Sequence, residues 1–423
     1  MRALARPRLL VVSAVAPFPG TAGQQVRVRN TLLALRPAFH VAFLTFAGRA
    51  DVQATRRALG DFVDEAFVLP SASRRSPGAR VWHGAVGALF SFVTGLKRSN
   101  YVIGHVELTA RRIAEACDPS DYDIVLYEYW HAHRSAAALR RMGAACVLDM
   151  HDVLWRSYER QLGHRLGGWA RWWWAHRLAA YRWRETAAWQ AFDAVIAISE
   201  GEGAYARGQL PGKRVIVAPM GIDIDDWPYR WSPAYPPRIG FYGRLSSPAN
   251  REGVERCVRG IMPDVWRTEP HAELWLVGAD PPPWMRALER DSRVHVTGFL
   301  PRPADVLATM TAVVCPWRGR FGFRSRLIEV MALGVPVAVT SDAVAGMGLR
   351  EHHGVLLGDD DARLAEHCAS LIRDPDGAWD HSRLARRQVE EKFTMSATYG
   401  HLVTELLALD APTLAAPRPV PAG

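Results

Sequence analysis

Arginines and a single glutamate occur close together in one short segment between two apolar runs. Residues 316–329 read Pro-Trp-Arg-Gly-Arg-Phe-Gly-Phe-Arg-Ser-Arg-Leu-Ile-Glu. The segment follows the apolar run 312–315 and leads, through a helix-like stretch, to a second apolar run at 335–340. This pattern predicts a strand, a loop, a helix and another strand. The arginines then lie at the loop, and Glu329 lies in the first turns of the helix.

These residue types suit a nucleotide. The free N–H groups and the dipole of a helix N-terminus attract anions, and arginine forks bind phosphate oxygens. A carboxylate accepts hydrogen bonds from two neighbouring sugar hydroxyls. We therefore predict a diphosphate near the arginines and a ribose at Glu329. An arginine-rich surface loop before a helix with a favourable first-turn acid would give the same pattern, so this alternative stays open here.

The segment resembles the signature of the retaining GT-B glycosyltransferases of family 4, also called group 1. The resemblance is to the branch with the pattern Pro-Leu-Arg-x-Gly-x-Gly-x-Arg-x-Lys-x-x-Glu. Arg326 stands where that branch has lysine, and Arg320 stands where it has its first glycine. The similarity runs over roughly residues 8–405. Outside the signature, the matching stretches are 147–152, 192–199, 219–223, 241–245, 248–250, 276–278 and 296–298.

The resemblance implies roles for individual residues. The residues expected to bind the donor nucleotide are Gly243, Arg244, Arg251, Gly298, Arg318, Gly322, Arg324, Arg326 and Glu329. The residues expected on the acceptor side are Gly23, Gln24, His151 and Asp152. Among these, His151, Arg244 and Arg324 are the predicted catalytic residues. His151 would position a substrate, with Asp152 as a residue that could orient its ring, and the arginines would neutralise the departing diphosphate.

The resemblance also implies a mechanism and its alternatives. The departing diphosphate accepts the acceptor's proton on the same face of the sugar, so no protein nucleophile is expected. Basic groups stand in for a metal, so neither a metal nor a cofactor is expected. Two positions depart from the family pattern: Phe321 replaces a glutamate of many members, and Met220 replaces an asparagine. A non-catalytic, membrane-associated partner of a transferase therefore stays open. A nucleotide-sugar epimerase or hydrolase on the same fold also stays open, because fold does not fix function.

Strand-like runs alternate with helix-length segments along most of the chain. This alternation predicts an α/β protein with parallel sheets, and two such sets predict two Rossmann-like domains. The resemblance implies that the two domains face each other across a cleft, as in the GT-B fold. A Pro-rich stretch places the boundary near residue 230, giving domains 1–230 and 231–395. Residues 396–410 are predicted as a helix, which the resemblance implies returns to the first domain, and residues 411–423 as a disordered tail.

Composition limits the partners and the compartment. The chain has 423 residues and a formal net charge of +9, nearly all of its cations being arginine. Such a balance allows anionic partners, but no nucleic-acid-binding motif accompanies it. The resemblance implies a nucleotide sugar and a glycan or lipid-linked glycan acceptor as the partners. Five scattered cysteines indicate a reducing compartment. We predict a cytoplasmic protein, with the inner face of the membrane as an alternative.

Tryptophans and arginines are interleaved in residues 169–189. Aromatic rings at headgroup depth and arginines at phosphates are typical of a membrane interface. A helix of the first domain that packs by its tryptophan face would have the same composition. Peripheral membrane contact through this segment is therefore a hypothesis.

Overall fold

The computed structural model describes residues 6–20, 22–162, 168–319 and 323–409. It forms two compact units, one up to Ala218 together with the chain from Tyr399 on, the other Pro219–Thr398. The division precedes the Pro-rich stretch at which the sequence places the boundary. The predicted tail, residues 411–423, lies outside the described residues.

Seven parallel strands form the sheet of the first unit, in the order β3-β2-β1-β4-β5-β6-β7. The two central strands β4 and β5 are buried along their whole length, as in a parallel sheet that helices cover on both faces. The strands are β1 Arg8–Val12, β2 His40–Ala47, β3 Glu65–Pro70, β4 Ile124–Glu128, β5 Ala145–Asp149, β6 Ala194–Ala197 and β7 Arg214–Val217.

Helices connect these strands and flank the sheet. In chain order they are α1 Gly23–Leu35, α2 Val52–Leu59, α3 Pro77–Thr94, α4 Arg98–Val102, α5 Ala110–Ala116, α6 His133–Arg141, α7 Leu154–Leu162, α8 Gly168–Trp189 and α9 Glu200–Gln209.

Six parallel strands form the sheet of the second unit, in the order β10-β9-β8-β11-β12-β13. They are β8 Arg238–Tyr242, β9 Glu273–Val277, β10 Val294–Gly298, β11 Ala312–Cys315, β12 Val337–Val339 and β13 Val355–Leu357. Its helices are α10 Pro248–Arg256, α11 Met262–Thr268, α12 Pro283–Arg286, α13 Pro303–Leu307, α14 Ser325–Ala332, α15 Asp361–Arg373 and α16 Pro375–Lys392.

The last helix, α17 Met395–Leu407, belongs to the first unit from Tyr399 on. There Glu405 pairs with Arg214 of β7 at 2.8 Å. The predicted α/β class, with two Rossmann-like domains and a last helix that returns to the first, is confirmed.

A buried carboxylate from α8 caps the amino-terminal end of helix α7. Glu185 of α8 accepts the backbone N–H groups of Leu154 and Trp155 at 2.9 and 3.0 Å, and burial raises its pKa from 4.5 to about 8. A raised pKa means that the folded chain holds a proton which the unfolded chain releases. The resulting stability is complete below pH 4.5 and is lost as the pH rises towards about 8.

Glu185→Gln tests this link between burial and stability. Glutamine stays neutral and has one acceptor oxygen, so the variant should melt at a lower temperature than the wild type at pH 5. The difference should narrow steadily towards pH 8, because only the wild type loses stability with rising pH. Melting curves measured across this range check it, with the exposed Glu200→Gln as control. A difference that does not change with pH would contradict the raised pKa.

Candidate functional site

The predicted donor-binding residues of the second unit lie along one edge of its sheet. Gly243 and Arg244 follow β8, Gly298 ends β10, and residues 316–319 follow β11. These strands are parallel and neighbour one another in the order β10-β9-β8-β11, so their carboxyl ends meet at the same edge. Open parallel sheets bind ligands at this edge.

Glu329 is held at this edge by two side chains. The Tyr242 hydroxyl donates to its Oε2 at 2.8 Å, and Arg326 Nη1 donates to the same oxygen at 2.7 Å. The carboxylate side chain is 12% exposed, so burial raises its pKa, and the charge of Arg326 opposes that rise. Both hydrogen bonds from the described residues reach Oε2, which leaves Oε1 to accept from a ligand.

Arg326 completes a triangle with these two residues. Its Nη1 lies 2.6 Å from the Tyr242 hydroxyl, and its guanidinium lies 5.0 Å from the centre of the tyrosine ring. The sequence predicts Arg326 as a ligand of the diphosphate. In the structure its contacts are to Glu329 and Tyr242, so it orients the carboxylate and keeps its charge balanced. The diphosphate contact stays a prediction.

Arg244 is an exposed cation with a weak partner. Its guanidinium donates to Asp280 at 2.9 and 2.7 Å, and both side chains are more than half exposed. Arg318 lies 3.7 Å from Glu252, again with both side chains exposed, and Arg251 is exposed on the first turns of α10. Exposed ion pairs contribute little to stability, so a diphosphate can take over these arginines at small cost.

A chain of hydrogen bonds joins the loop after β8 to the loop after β11. Asn250 donates to the Arg244 carbonyl at 2.8 Å and accepts from the Trp317 indole at 2.8 Å. Arg324 lies over the same indole at 5.3 Å and donates to the Gly319 carbonyl at 3.3 Å. Two predicted diphosphate ligands are thus connected to one scaffold.

The remainder of this loop is only partly described. Residues 320–322 lie outside the described residues, and with them the predicted ligand Gly322 and the departing position Phe321. A buried arginine fixes the loop at its start. Arg256 donates to the Pro316 carbonyl at 2.5 Å and to Asp361 at 2.7 Å.

Close backbone packing forms the floor of this edge. Gly278 has φ +154°, and a Cβ there would lie 1.8 Å from the Gly243 carbonyl oxygen. Gly278→Ala should therefore push apart the turns after β8 and β9, destabilising the chain by about 1–3 kcal/mol and lowering its melting temperature by several degrees. Gly208→Ala is the matched control, since a Cβ there meets nothing within 4 Å. Equal melting temperatures for the two variants would contradict the close approach.

The acceptor-side residues of the first unit surround a buried ion pair. Arg27 of α1 lies 2.9 Å from Asp149, the last residue of β5, and neither side chain is more than 1% exposed. Asp149 also accepts the backbone N–H of His151 at 3.1 Å. The pair therefore fixes the turn that presents His151, and the Asp149 charge raises the pKa of Arg27 against the opposing effect of burial.

Glu128 holds the imidazole of His151. It is the last residue of β4, and its Oε2 is hydrogen-bonded to His151 Nε2. Burial raises the pKa of Glu128, and the histidine beside it opposes the rise. The sequence suggests Asp152 as the residue that orients this ring, whereas the structure supplies Glu128 from the neighbouring strand.

Tyr129 joins His151 to the start of α1. The two rings stack at 4.1 Å between centroids, and both residues have positive φ, 67° and 60°. The Tyr129 hydroxyl donates to Gln24 Oε1 at 3.2 Å, and Gly23 is the first residue of the helix. The structure thus brings Gln24 and His151 together through a residue that the sequence did not single out.

The cluster around Asp149 contains residue types that bind metals, but it has little net negative charge. The ligand atoms of Glu128, Asp149 and His151 lie within 4.8 Å of one another. Asp149 is already neutralised by Arg27, and a divalent cation would lie beside that buried guanidinium. The donor set therefore fits a cation poorly.

Four residues of the two clusters were missed by sequence reasoning: Tyr242, Arg256, Glu128 and Tyr129. Tyr242 stands directly before the glycine of a matching stretch, which is a usable signal. No signal in the sequence pointed to Arg256, because its hydrogen-bond partners lie 60 and 105 residues away along the chain.

The tryptophans of α8 divide between core and surface. Trp189 is fully buried, whereas Trp169, Trp172 and Trp183 are 87%, 64% and 69% exposed. Packing by a tryptophan face explains Trp189 but not the exposed tryptophans, and membrane contact explains the exposed tryptophans but not Trp189. Within the described residues, no helix has both the length and the apolar character needed to cross a bilayer.

Two doubly wound parallel sheets, each with polar residues at the carboxyl ends of its strands, define an α/β protein of two Rossmann-like domains. Residues 22–221 match the family model of the glycosyl transferase 4-like domain, and residues 236–374 match that of glycosyl transferases group 1. The chain is therefore a glycosyltransferase of the GT-B fold. No curated protein matches it significantly.

Solved structures share this fold over nearly the whole chain. Sucrose-phosphate synthase from Thermosynechococcus elongatus is 19% identical with a TM-score of 0.67, covering 96% of this chain and 100% of its own. HepE from Anabaena, solved with UDP and glucose, is 15% identical with a TM-score of 0.65, covering 95% and 100%. A glycosyltransferase from Rickettsia africae is 12% identical with a TM-score of 0.62, covering 95% and 99%.

Proposed function

We propose that this enzyme transfers a sugar from a nucleoside diphosphate sugar to a hydroxyl group, with retention at the anomeric carbon. The observation that supports this most directly is Glu329, a largely buried carboxylate at the ligand-binding edge of its sheet. Among the described residues, both of its hydrogen bonds are to Oε2. A structurally similar protein was solved with UDP and glucose, which favours a nucleotide sugar as donor.

In this mechanism the chain supplies charge and orientation. Arg244 and Arg324 neutralise the departing diphosphate, which in turn accepts the proton of the attacking hydroxyl on the same face of the sugar. The Glu128–His151 pair positions a substrate hydroxyl. No metal or cofactor is required, because the arginines provide the positive charge.

The acceptor we propose is a glycan or a lipid-linked glycan, and the role is assembly of a surface polysaccharide or glycolipid. The exposed tryptophans of α8 are compatible with an acceptor at the inner face of the membrane. Residues 169–189 remain the predicted contact.

A thermal-shift panel of UDP, GDP, ADP, dTDP and their sugar conjugates identifies the donor class. With the stabilising donor, NMR of the product formed in EDTA reports the anomeric configuration. Retention in EDTA supports the proposal, and inversion or a strict metal requirement overturns it. Donor turnover without any acceptor would instead indicate an epimerase or hydrolase. The absence of any shift would indicate a non-catalytic partner of a transferase.

A further inference from the structure

Helix α3 presents an apolar face to solvent. Its side chains Val81, Trp82, Leu89, Phe92 and Val93 are 65–73% exposed. Their spacing of three, four and seven residues places them on one stripe of the helix, together with the exposed Ala85 and Ala88. Surface helices of soluble domains have the opposite arrangement, with the apolar stripe towards the core. We call these seven residues the α3 stripe.

Packing on the other side of α3 fixes this orientation. Gly84 and Gly87 face Arg98 of α4, and added Cβ atoms would lie 2.4 Å from its Nη2 and 2.9 Å from its Cγ. Phe90 packs on Tyr101 with ring centroids 4.4 Å apart. Rotating α3 to bury the α3 stripe would break these contacts with α4.

The apolar surface continues onto α8. The Phe92 ring lies 5.2 Å from that of Trp173, and Arg177 donates to the carbonyl of Gly95 at 3.1 Å. The first turns of α8 add Trp169 and Trp172, 87% and 64% exposed. The two helices therefore share one contiguous patch of large apolar side chains, an arrangement that marks an interaction site.

The two chain segments that carry this patch contain charges of one sign. Residues 66–106, which include α3 and α4, contain no aspartate or glutamate. Residues 160–184, which include most of α8, contain none either. The cations of the two stretches are Arg74, Arg75, Arg80, Lys97, Arg98, Arg160, Arg165, Arg171, Arg177, Arg182 and Arg184.

We propose that the α3 stripe docks onto an anionic lipid bilayer, its side chains entering the interface while the arginines meet lipid phosphates. An apolar surface on segments of one charge sign suits an anionic membrane, to which each exposed cation near the surface contributes about 1 kcal/mol. The proposal is separate from the transfer reaction. It adds a membrane-binding surface on α3, which lies outside the contact predicted for residues 169–189.

Vesicle cosedimentation tests the surface with the full chain. The wild type should sediment with vesicles of equimolar phosphatidylcholine and phosphatidylglycerol, and should stay in solution with phosphatidylcholine alone. Trp82→Ser with Phe92→Ser should weaken the binding by about tenfold or more, because two large side chains leave the interface. Both side chains are exposed, so circular dichroism should be unchanged.

A matched pair of changes separates this surface from general hydrophobicity. Trp284→Ser with Phe299→Ser removes the same residue types from exposed positions of the second unit and should leave vesicle binding unchanged. Arg74→Gln with Arg75→Gln should reduce binding and its dependence on salt. Equal binding by the wild type and the α3 double variant would overturn the proposal. So would a wild-type dimer in solution that the α3 double variant converts to monomer, because the α3 stripe would then be a protein interface.

Discussion

Glu329→Ala should weaken binding of the stabilising nucleoside diphosphate by about 100-fold or more. A carboxylate that accepts from two ribose hydroxyls makes two charge-assisted hydrogen bonds, each contributing about 1.5–3 kcal/mol, and each 1.4 kcal/mol corresponds to about a tenfold change in affinity. Glu329→Gln should be milder, at about tenfold, because the amide keeps one acceptor oxygen. Calorimetric titration of each variant with the nucleotide measures both.

The ligand itself provides the sharper test. If Glu329 binds the ribose, the wild type should lose affinity for the 2′-deoxynucleotide, and Glu329→Ala should bind the two nucleotides alike. Glu366→Gln is the matched control. It breaks an arginine–glutamate pair with the same spacing, 2.6 Å long, on another helix of the same unit. A Glu329→Ala variant that still distinguishes the two nucleotides would show that the ribose lies elsewhere.

Glu329 also shows how much of the site the sequence predicts. The strand, loop, helix and strand around it are a local pattern, and Arg326 is one helical turn away, so both follow from sequence spacing. Tyr242, the other side chain that fixes the carboxylate, comes from a strand 87 residues earlier. Only the order of strands in the folded sheet brings β8 beside β11, and the tyrosine with it.

The apolar patch shows a second limit. Residues 77–94 are apolar on both faces of the helix, so periodicity does not indicate which face is buried. Which face is buried depends on Gly84 and Gly87, because the absence of side chains there leaves room for Arg98. Sequence patterns report where apolar residues are, while the choice of buried face depends on shape against a partner helix.

His151→Ala should lower kcat by about 100-fold, within the range for a residue that positions a reacting hydroxyl. Affinity for the nucleotide should be unchanged, because the proposed nucleotide ligands are Glu329 and the arginines, not His151. Glu128→Gln should lower kcat by about tenfold, since the imidazole keeps a hydrogen-bond partner but loses the charge beside it. Steady-state kinetics with nucleotide titrations separate these effects.

A second histidine–glutamate pair in the same sheet provides the control. His40 Nε2 lies 2.8 Å from Glu65, at the amino-terminal ends of β2 and β3, so His40→Ala and Glu65→Gln remove the same chemistry from the opposite edge. They should leave kcat unchanged. Glu128→Gln should also change the pH profile of kcat, because it removes a buried carboxylate whose pKa burial raises. If Glu128→Gln lowered kcat equally at every pH, the pair would act by packing alone, and the positioning of a substrate hydroxyl would fall to other groups around Tyr129.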